Sequence, residues 1–575
     1  MQSLQLIGNS QVSLTSDKST IGAEQGTPDD QASCDVLVIG GGLAALAAAI
    51  SAADTGASVM LVNKGITGQS GSSAKAAGIL AAPFGHGDLL VRPVPDSPLK
   101  HAEDTLKVGY DIGDPKLVRY VADNAMGAVD WLESLGIRFS RADDGGYVQL
   151  NAPGNSCPRA VSAIGGGQAI IAKLINQAKI CGVKIIDHTI VRQILTDNAA
   201  VCGVNLCGEN SHRLGRVIIN TPAVILAAGG ATGMFPTVSG DSGNVGSSLM
   251  LGYDAGARLG NLEFIEFTLI YRVNGQILRI AGMAPFLSRG GRLYNRNGVD
   301  LLADCFPKTP AEQIGRAEIL RMVEREITDG RGPVMLDCKH FSTAIWAEFK
   351  SSQGSIVLDK IAAAGCNYKS EQIEVIPAAH SVLAGLLIDC AARTSVQGLF
   401  AAGENATGIH GAGRLSGNGL TACVVMGRSA GTNAGRQAML QRCAAPTSGI
   451  SPTLPETVLP SDGDRDHLYA MPAGLDIVVD KIKATVGQKL GIIRNDIDLQ
   501  VAKQQFSAFE TKLGTFDIDN IHVFEARQMV RLAGLMSKAA MLRRESRGVQ
   551  FRSDHQKLNT NWTKSQTLAK GGAVE

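Results

Sequence analysis

Near the N-terminus the chain alternates between short apolar runs and glycine. Asp35-Val36-Leu37-Val38-Ile39 is rich in β-branched residues and reads as a buried strand. Gly40-Gly41-Gly42 follows it directly. Leu43 to Thr55 is alanine-rich and free of proline, which predicts a helix lying close on the sheet, stopped by Gly56. Ser58-Val59-Met60-Leu61-Val62 is the next strand. Strand, glycine turn, helix and strand together predict a βαβ unit of dinucleotide-binding length.

Further along, 102–135 has helical periodicity, with Val118, Val121, Ala125, Val129 and Leu132 on one face. Val183-Lys184-Ile185-Ile186, Val201-Cys202-Gly203-Val204, Val217-Ile218-Ile219 and Ala223-Val224-Ile225-Leu226-Ala227 read as strands. Charge and helical character rise between 262 and 370, which predicts an inserted domain. Strand-then-turn character returns at Gly398 to Glu404, a proline-rich linker spans about 446–465, and helices follow to about Arg543. The expected architecture is α/β. A Rossmann-like nucleotide-binding domain (34–261 and 371–445) carries an inserted α+β capping domain (262–370), and a C-terminal helical domain (466–575) follows. Residues 1–33, rich in Ser, Gln, Thr, Asp and Gly, are expected to form a disordered tail.

Composition narrows the function. The chain has 575 residues, 45% hydrophobic and 19% charged, with a formal net charge of +1. That balance gives no overall field for nucleic acid or an anionic membrane. No stretch is apolar enough to predict a membrane span. The 11 cysteines are scattered without a C-x-x-C pair, so neither a structural zinc nor an iron–sulfur cluster held by this chain alone is expected. A cytoplasmic location follows as the expectation.

Gly40-x-Gly42-x-x-Ala45 gains its meaning from its place between strand and helix. Gly40 permits the turn, Gly42 admits a pyrophosphate, and Ala45 lets helix and strand pack. The helix N-terminus then faces phosphate charge. The position after Val62, usually an acid for ribose hydroxyls, is Asn63, followed by Lys64. Asn can still hydrogen-bond a ribose, but plain NAD is disfavoured.

Several further segments, in order, resemble the flavoproteins of succinate dehydrogenase and fumarate reductase, whose relatives include L-aspartate oxidase and the α-subunit of adenylylsulfate reductase. These are Ser70-Gly71-Ser72-Ser73-Ala74-Lys75-Ala76-Ala77-Gly78-Ile79, Ala227-Ala228-Gly229-Gly230, Asp254-Ala255-Gly256-Ala257, Pro377-Ala378-Ala379-His380, Ala402-Gly403-Glu404 and His410-Gly411-Ala412-Gly413-Arg414-Leu415. Arg544-Glu545-Ser546-Arg547-Gly548 is similar to the L-aspartate oxidase tail.

The resemblance implies FAD, cradled by Gly40, Gly42, Ala45, Asn63, Lys64, Ser72, Ser73, Gly78, Gly229, Gly230 and Gly403. Glu404 would take ribityl or ribose hydroxyls, and Asn418, Gly419 and Leu420 would approach the flavin ring. The family's covalent flavin linkage uses a His that aligns with Ser72, so non-covalent FAD is expected.

The substrate positions depart from the family. Its Gln-Phe-His-Pro-Thr segment aligns with Glu266-Phe267-Thr268-Leu269-Ile270, and its Arg-Gly-Glu-Gly-Gly segment with Leu287-Ser288-Arg289-Gly290-Gly291. His380 and Arg414 remain, and Arg289, with Arg292 nearby, is expected to replace the displaced proton-donating Arg. An apolar Ile270 cannot pair with a carboxylate, and an unpaired charge would cost several kcal/mol. The expected activity is hydride transfer between flavin N5 and a small anionic substrate other than the standard dicarboxylates. An L-aspartate oxidase-like enzyme is one alternative. A flavoprotein delivering electrons through a separate iron–sulfur partner is the other.

Overall fold

A computed structural model describes residues 31–84, 96–208, 217–280, 282–310, 314–351, 355–444 and 470–571. Residues 1–30 of the expected tail and the expected linker 446–465 lie outside the described residues.

The nucleotide domain is built on a five-stranded parallel sheet. Its order is Leu399–Ala401, Val224–Leu226, Val36–Ile39, Val59–Val62 and Lys184–Ile186. Val36–Ile39 and Val59–Val62 are buried at every position, as a sheet covered on both faces requires. The first strand runs straight into the glycine turn and the helix Leu43–Ala53.

That helix packs against a second, Asn418–Ala444, through small residues on both sides. A Cβ on Gly427 would lie 2.6 Å from the Ala44 carbonyl oxygen. One on Gly431 would lie 2.1 Å from that of Ala48, and one on Gly435 would lie 3.0 Å from that of Ala52. Glycine at every fourth position therefore lets the two backbones touch, which no larger residue permits.

Three expected boundaries are corrected. Order begins before Cys34: Gln31–Ser33 pairs in parallel with Val217–Asn220. Its side chains carry little apolar signal, and the strand is held by its ladder. The periodic stretch 102–135 is two helices, Pro98–Val108 and Pro115–Ser134, because Gly109 to Asp114 turns the chain between them. The cap's sheet also extends beyond residue 370. Ile265–Val273 pairs antiparallel with Ile373–Val382, which pairs with Val334–Asp337. This pairing joins strands about a hundred residues apart and leaves no local trace in the sequence.

The C-terminal region contains the helices Leu475–Lys489, Asp496–Leu513 and Ile521–Leu542. The chain then threads back into the body, and Thr567–Leu568 pairs with Leu259–Gly260. This return is fixed by buried charge. Arg543, fully buried, donates to Glu263 at 2.6 Å, to Glu545 at 2.9 Å and to the carbonyls of Trp562 and Lys564. Such a network specifies one arrangement, because removing any member strands a buried charge.

Candidate active site

The glycine turn forms an anion cradle. Gly40 has φ of +126°, and a Cβ there would lie 2.3 Å from the Ala227 carbonyl oxygen, so only glycine fits. Gly42 precedes the helix Leu43–Ala53, whose first turn carries no acidic residue and whose N-cap has no side-chain cap. Its N-terminal dipole is therefore available to phosphate. The Ser73 hydroxyl sits at this helix start and accepts from the Leu43 N–H at 3.1 Å. Ser72 lies against Asn244, and Gly229 packs on the same Asn244 side chain.

Gly230 abuts the Glu404 carboxylate, where a Cβ would lie 2.3 Å from Oε1. Glu404 Oε1 accepts from the Val382 N–H at 2.7 Å, and burial pushes its pKa up. Gly78 and Gly403 both have positive φ, and Ala45 is fully buried. Each of these glycines packs against protein atoms that leave no room for a Cβ: Gly78 on the Gly166 backbone and Gly403 on the Ala44 side chain.

Asn63 and Lys64 are held by protein groups. Asn63 Nδ2 donates to the Gly65 carbonyl at 3.1 Å and to Ser70 at 3.0 Å, and Lys64 pairs with Glu525 of the C-terminal region. Asn418, at the start of the long helix, is held by Thr105 at 2.8 Å and by His101 Nε2 at 2.6 Å. Gly419 lies against the Arg414 guanidinium, and Leu420 follows it in the same helix.

Two of the expected substrate residues, Arg414 and His380, lie at Glu266, in the cap strand Ile265–Val273. The carboxylate is buried and accepts from both domains. Arg414 donates to Oε2 through Nε at 3.1 Å and Nη2 at 2.7 Å. Arg316, first residue of the cap helix Arg316–Thr328, donates to Oε1 at 2.9 Å. Burial alone would raise the Glu266 pKa, but the two guanidiniums outweigh it and hold it at about 2.

His380 lies opposite. The ladder register skips between Glu266 and Phe267, which pair with Ser381 and Ala379 and leave His380 as the extra residue of a bulge. Its Nδ1 pairs with the Ser239 hydroxyl at 2.8 Å. Burial pushes its pKa down to about 4, so the imidazole is neutral at physiological pH.

A cavity of about 180 Å³ opens beside this group. Val108, Tyr110, Leu320, Val549 and Phe551 supply apolar wall, and Glu266, Arg316, Arg321 and Arg414 supply charge. Tyr110 and Asp111 both have left-handed backbones, with φ of 54° and 58°. Residues so held cost about 1–3 kcal/mol each and persist only when their surroundings impose them. Here Arg547 donates to the Tyr110 carbonyl at 3.1 Å. Arg547 thus buttresses the wall and does not itself line the cavity.

Arg289 is not brought to this group. It donates to Glu348 at 2.7 Å and to the Pro285 carbonyl at 3.0 Å, and lies 5.3 Å over the Phe349 ring. Leu287 is buried, and Arg289 is partly buried within the cap, held by Glu348, Pro285 and Phe349. Arg292 is exposed. Ile270 is fully buried with Ile376 and Ala378, so the substitution there belongs to cap packing. Sequence reasoning missed Arg316 and Arg321, since charged residues at a helix start look like a solvated face. The one available signal was the spacing of Arg316 and Arg321, five residues apart around Ala317-Glu318-Ile319-Leu320.

Among the described residues there is no cluster of three or more His, Cys, Asp or Glu that could hold a metal ion. No described helix is long and apolar enough to cross a membrane.

Known proteins match along most of the chain. Residues 35–420 match the FAD binding domain family, and residues 480–574 match the Fumarate reductase flavoprotein C-term family. One subunit of the fumarate reductase (CoM/CoB) from Methanothermobacter marburgensis is 30% identical, covering 92% of this chain and 96% of its own length. An L-aspartate oxidase from Agrobacterium fabrum is 31% identical, with 90% of each chain covered. Among solved structures, Mycobacterium smegmatis Sdh1 in complex with UQ1 superposes with a TM-score of 0.78 at 26% identity, over 94% of this chain and 93% of that one. The family match spans more than half the chain and coincides with the glycine cradle: this protein belongs to the FAD-dependent oxidoreductases of the fumarate reductase and L-aspartate oxidase family, and its cofactor is FAD.

Proposed function

We propose that the protein transfers a hydride between flavin N5 and a small anionic substrate that is not one of the family's standard dicarboxylates. One observation carries this reading: Arg414, expected to grip a substrate carboxylate, is already engaged by the chain's own Glu266. The same carboxylate also takes Arg316. A dicarboxylate would have to displace Glu266 and would find Thr268 and Ile270 where the resemblance implies a His and a Thr.

Bound FAD, held non-covalently, supplies a two-electron acceptor or donor. The protein's part is placement and shielding. Arg316 and Arg414 fix Glu266 between cap and nucleotide domain, so the charged group closes the seam between them. His380, neutral and oriented by Ser239, offers a hydrogen bond to substrate without adding charge. Arg316, and not Arg289, is the cap arginine in place for the proton-delivering role that the resemblance implies.

Anaerobic incubation of the yellow holoenzyme with a panel of small acids and amines tests the reading. Bleaching of the flavin band by a monocarboxylate, with succinate and L-aspartate inert, is the expected result. An Arg414→Ala variant that keeps FAD should lose this reaction, and undiminished turnover would remove Arg414 from the site.

The second reading is a flavoprotein that passes electrons to an iron–sulfur partner. It is favoured by the Methanothermobacter marburgensis relative, which is one subunit of a larger fumarate reductase. Co-purification of an iron–sulfur protein would establish it.

A further inference from the structure

We infer that anion recognition in this site has moved to Arg321, and that the substrate carries a single carboxylate joined to an apolar body that fills the cavity beside it. The inference rests on the proposed anionic substrate and names its class.

Three guanidiniums line the cavity, those of Arg316, Arg321 and Arg414. Two of them share Glu266. Arg321 has no carboxylate within ion-pairing distance among the described residues. Its central carbon lies 4.8 Å from the Phe551 ring, and Glu318 and Tyr110 act on it only electrostatically. A contact of this kind with a ring leaves guanidinium N–H groups to pair with a carboxylate edge. Partial burial, with the neighbouring Arg325, pushes the Arg321 pKa down despite the opposing pull of Glu318 and Tyr110. Arg316 and Arg414 are both bonded to Glu266, so Arg321 is the lining guanidinium left without a bonded carboxylate and open to a ligand's anionic group.

The rest of the wall sets the remainder of the ligand. Leu320 and Phe551 are joined by Val108, Val549 and the strained Tyr110. A second carboxylate placed against them would lose its water without gaining a partner. An aryl or branched alkyl group would gain by burial. The volume, about 180 Å³, lies below the roughly 300–1,000 Å³ of pockets for drug-sized ligands, so a single ring or short branched chain is the right scale.

The test is titration of the holoenzyme with cinnamate, acrylate, fumarate and cinnamamide, read from the flavin difference spectrum. Cinnamate should bind about tenfold or more tightly than acrylate or fumarate. Arg321→Gln should weaken cinnamate by about tenfold or more and leave cinnamamide unchanged. Phe551→Ala should bring cinnamate down to the level of acrylate. Retention of the flavin spectrum verifies that each variant folds.

Acrylate or fumarate binding as tightly as cinnamate would overturn the apolar body and leave the anionic reading standing. Arg321→Gln without effect on cinnamate would overturn the role of Arg321. Cinnamamide binding as tightly as cinnamate to the unaltered enzyme would instead sink the anionic reading itself.

Discussion

Replacing Glu266 by Gln keeps the shape of the side chain and removes the charge that holds Arg414 and Arg316. The carboxyl is held at about 2 against an ordinary 4.5, a difference of about 2.5 pKa units. At about 1.36 kcal/mol per unit, the ionised form gains roughly 3 kcal/mol from its surroundings. Glu266→Gln should lose stability on that order. It should also leave the half-buried Arg414 and the exposed Arg316 guanidiniums without their shared carboxylate.

An added dicarboxylate can then supply the missing negative charge to Arg414 and Arg316, and about 3 kcal/mol corresponds to roughly a hundredfold in affinity. The assay is thermal unfolding of the holoenzyme over a malonate series. A ligand binding only the folded state at about 100 times its Kd stabilises by about 2.7 kcal/mol. The variant should melt lower than the parent without malonate and recover as malonate is added, while the parent stays unmoved. Equal malonate response in both proteins would refute the claim that Glu266 occupies the dicarboxylate position.

Other outcomes follow from the same geometry. Glu266, with its folded pKa depressed, contributes stability above about 4.5 that is lost as pH falls through about 2. His380, held neutral to about 4, makes the unfolded chain bind more protons below 6.5, so stability also falls from there to pH 4. Denaturant titrations at pH 7, 5 and 4 should therefore show a monotonic loss, and a gain on acidification would contradict both assignments. Gly431→Val forces atoms against the Ala48 carbonyl, and the purified protein should retain much less FAD by absorbance. Arg543→Ala strands Glu263 and Glu545 in the interior and should cost about 3–5 kcal/mol in chemical denaturation.

The cofactor half was readable from sequence because its signal is local. A strand, a glycine turn and an alanine helix lie within thirty residues and obey one steric rule. The substrate half was not. Glu266 looks like an isolated polar residue in a strand, and only the fold brings Arg414, 148 residues away, and Arg316, 50 away, to its oxygens. Arg289 drew attention because it stands in a glycine loop of the right kind, but Glu348 and the Pro285 carbonyl hold it within the cap. The reach of the cap's sheet to Val382 depended on a long-range pairing that no window of sequence contains.

The glycine seam between Leu43–Ala53 and Asn418–Ala444 has a consequence for how such a protein can change. One helix begins at the phosphate cradle, and the other begins at the residues expected beside the flavin ring. Because their backbones touch, the span between the two ends works as a fixed gauge set by helix contact. Much of the cavity wall comes from elsewhere: an inserted cap supplies Glu266, Arg316, Leu320 and Arg321, and an appended segment supplies Val549 and Phe551. New substrate preferences can thus be acquired by exchanging parts that the gauge does not include, with the redox machinery inherited unaltered.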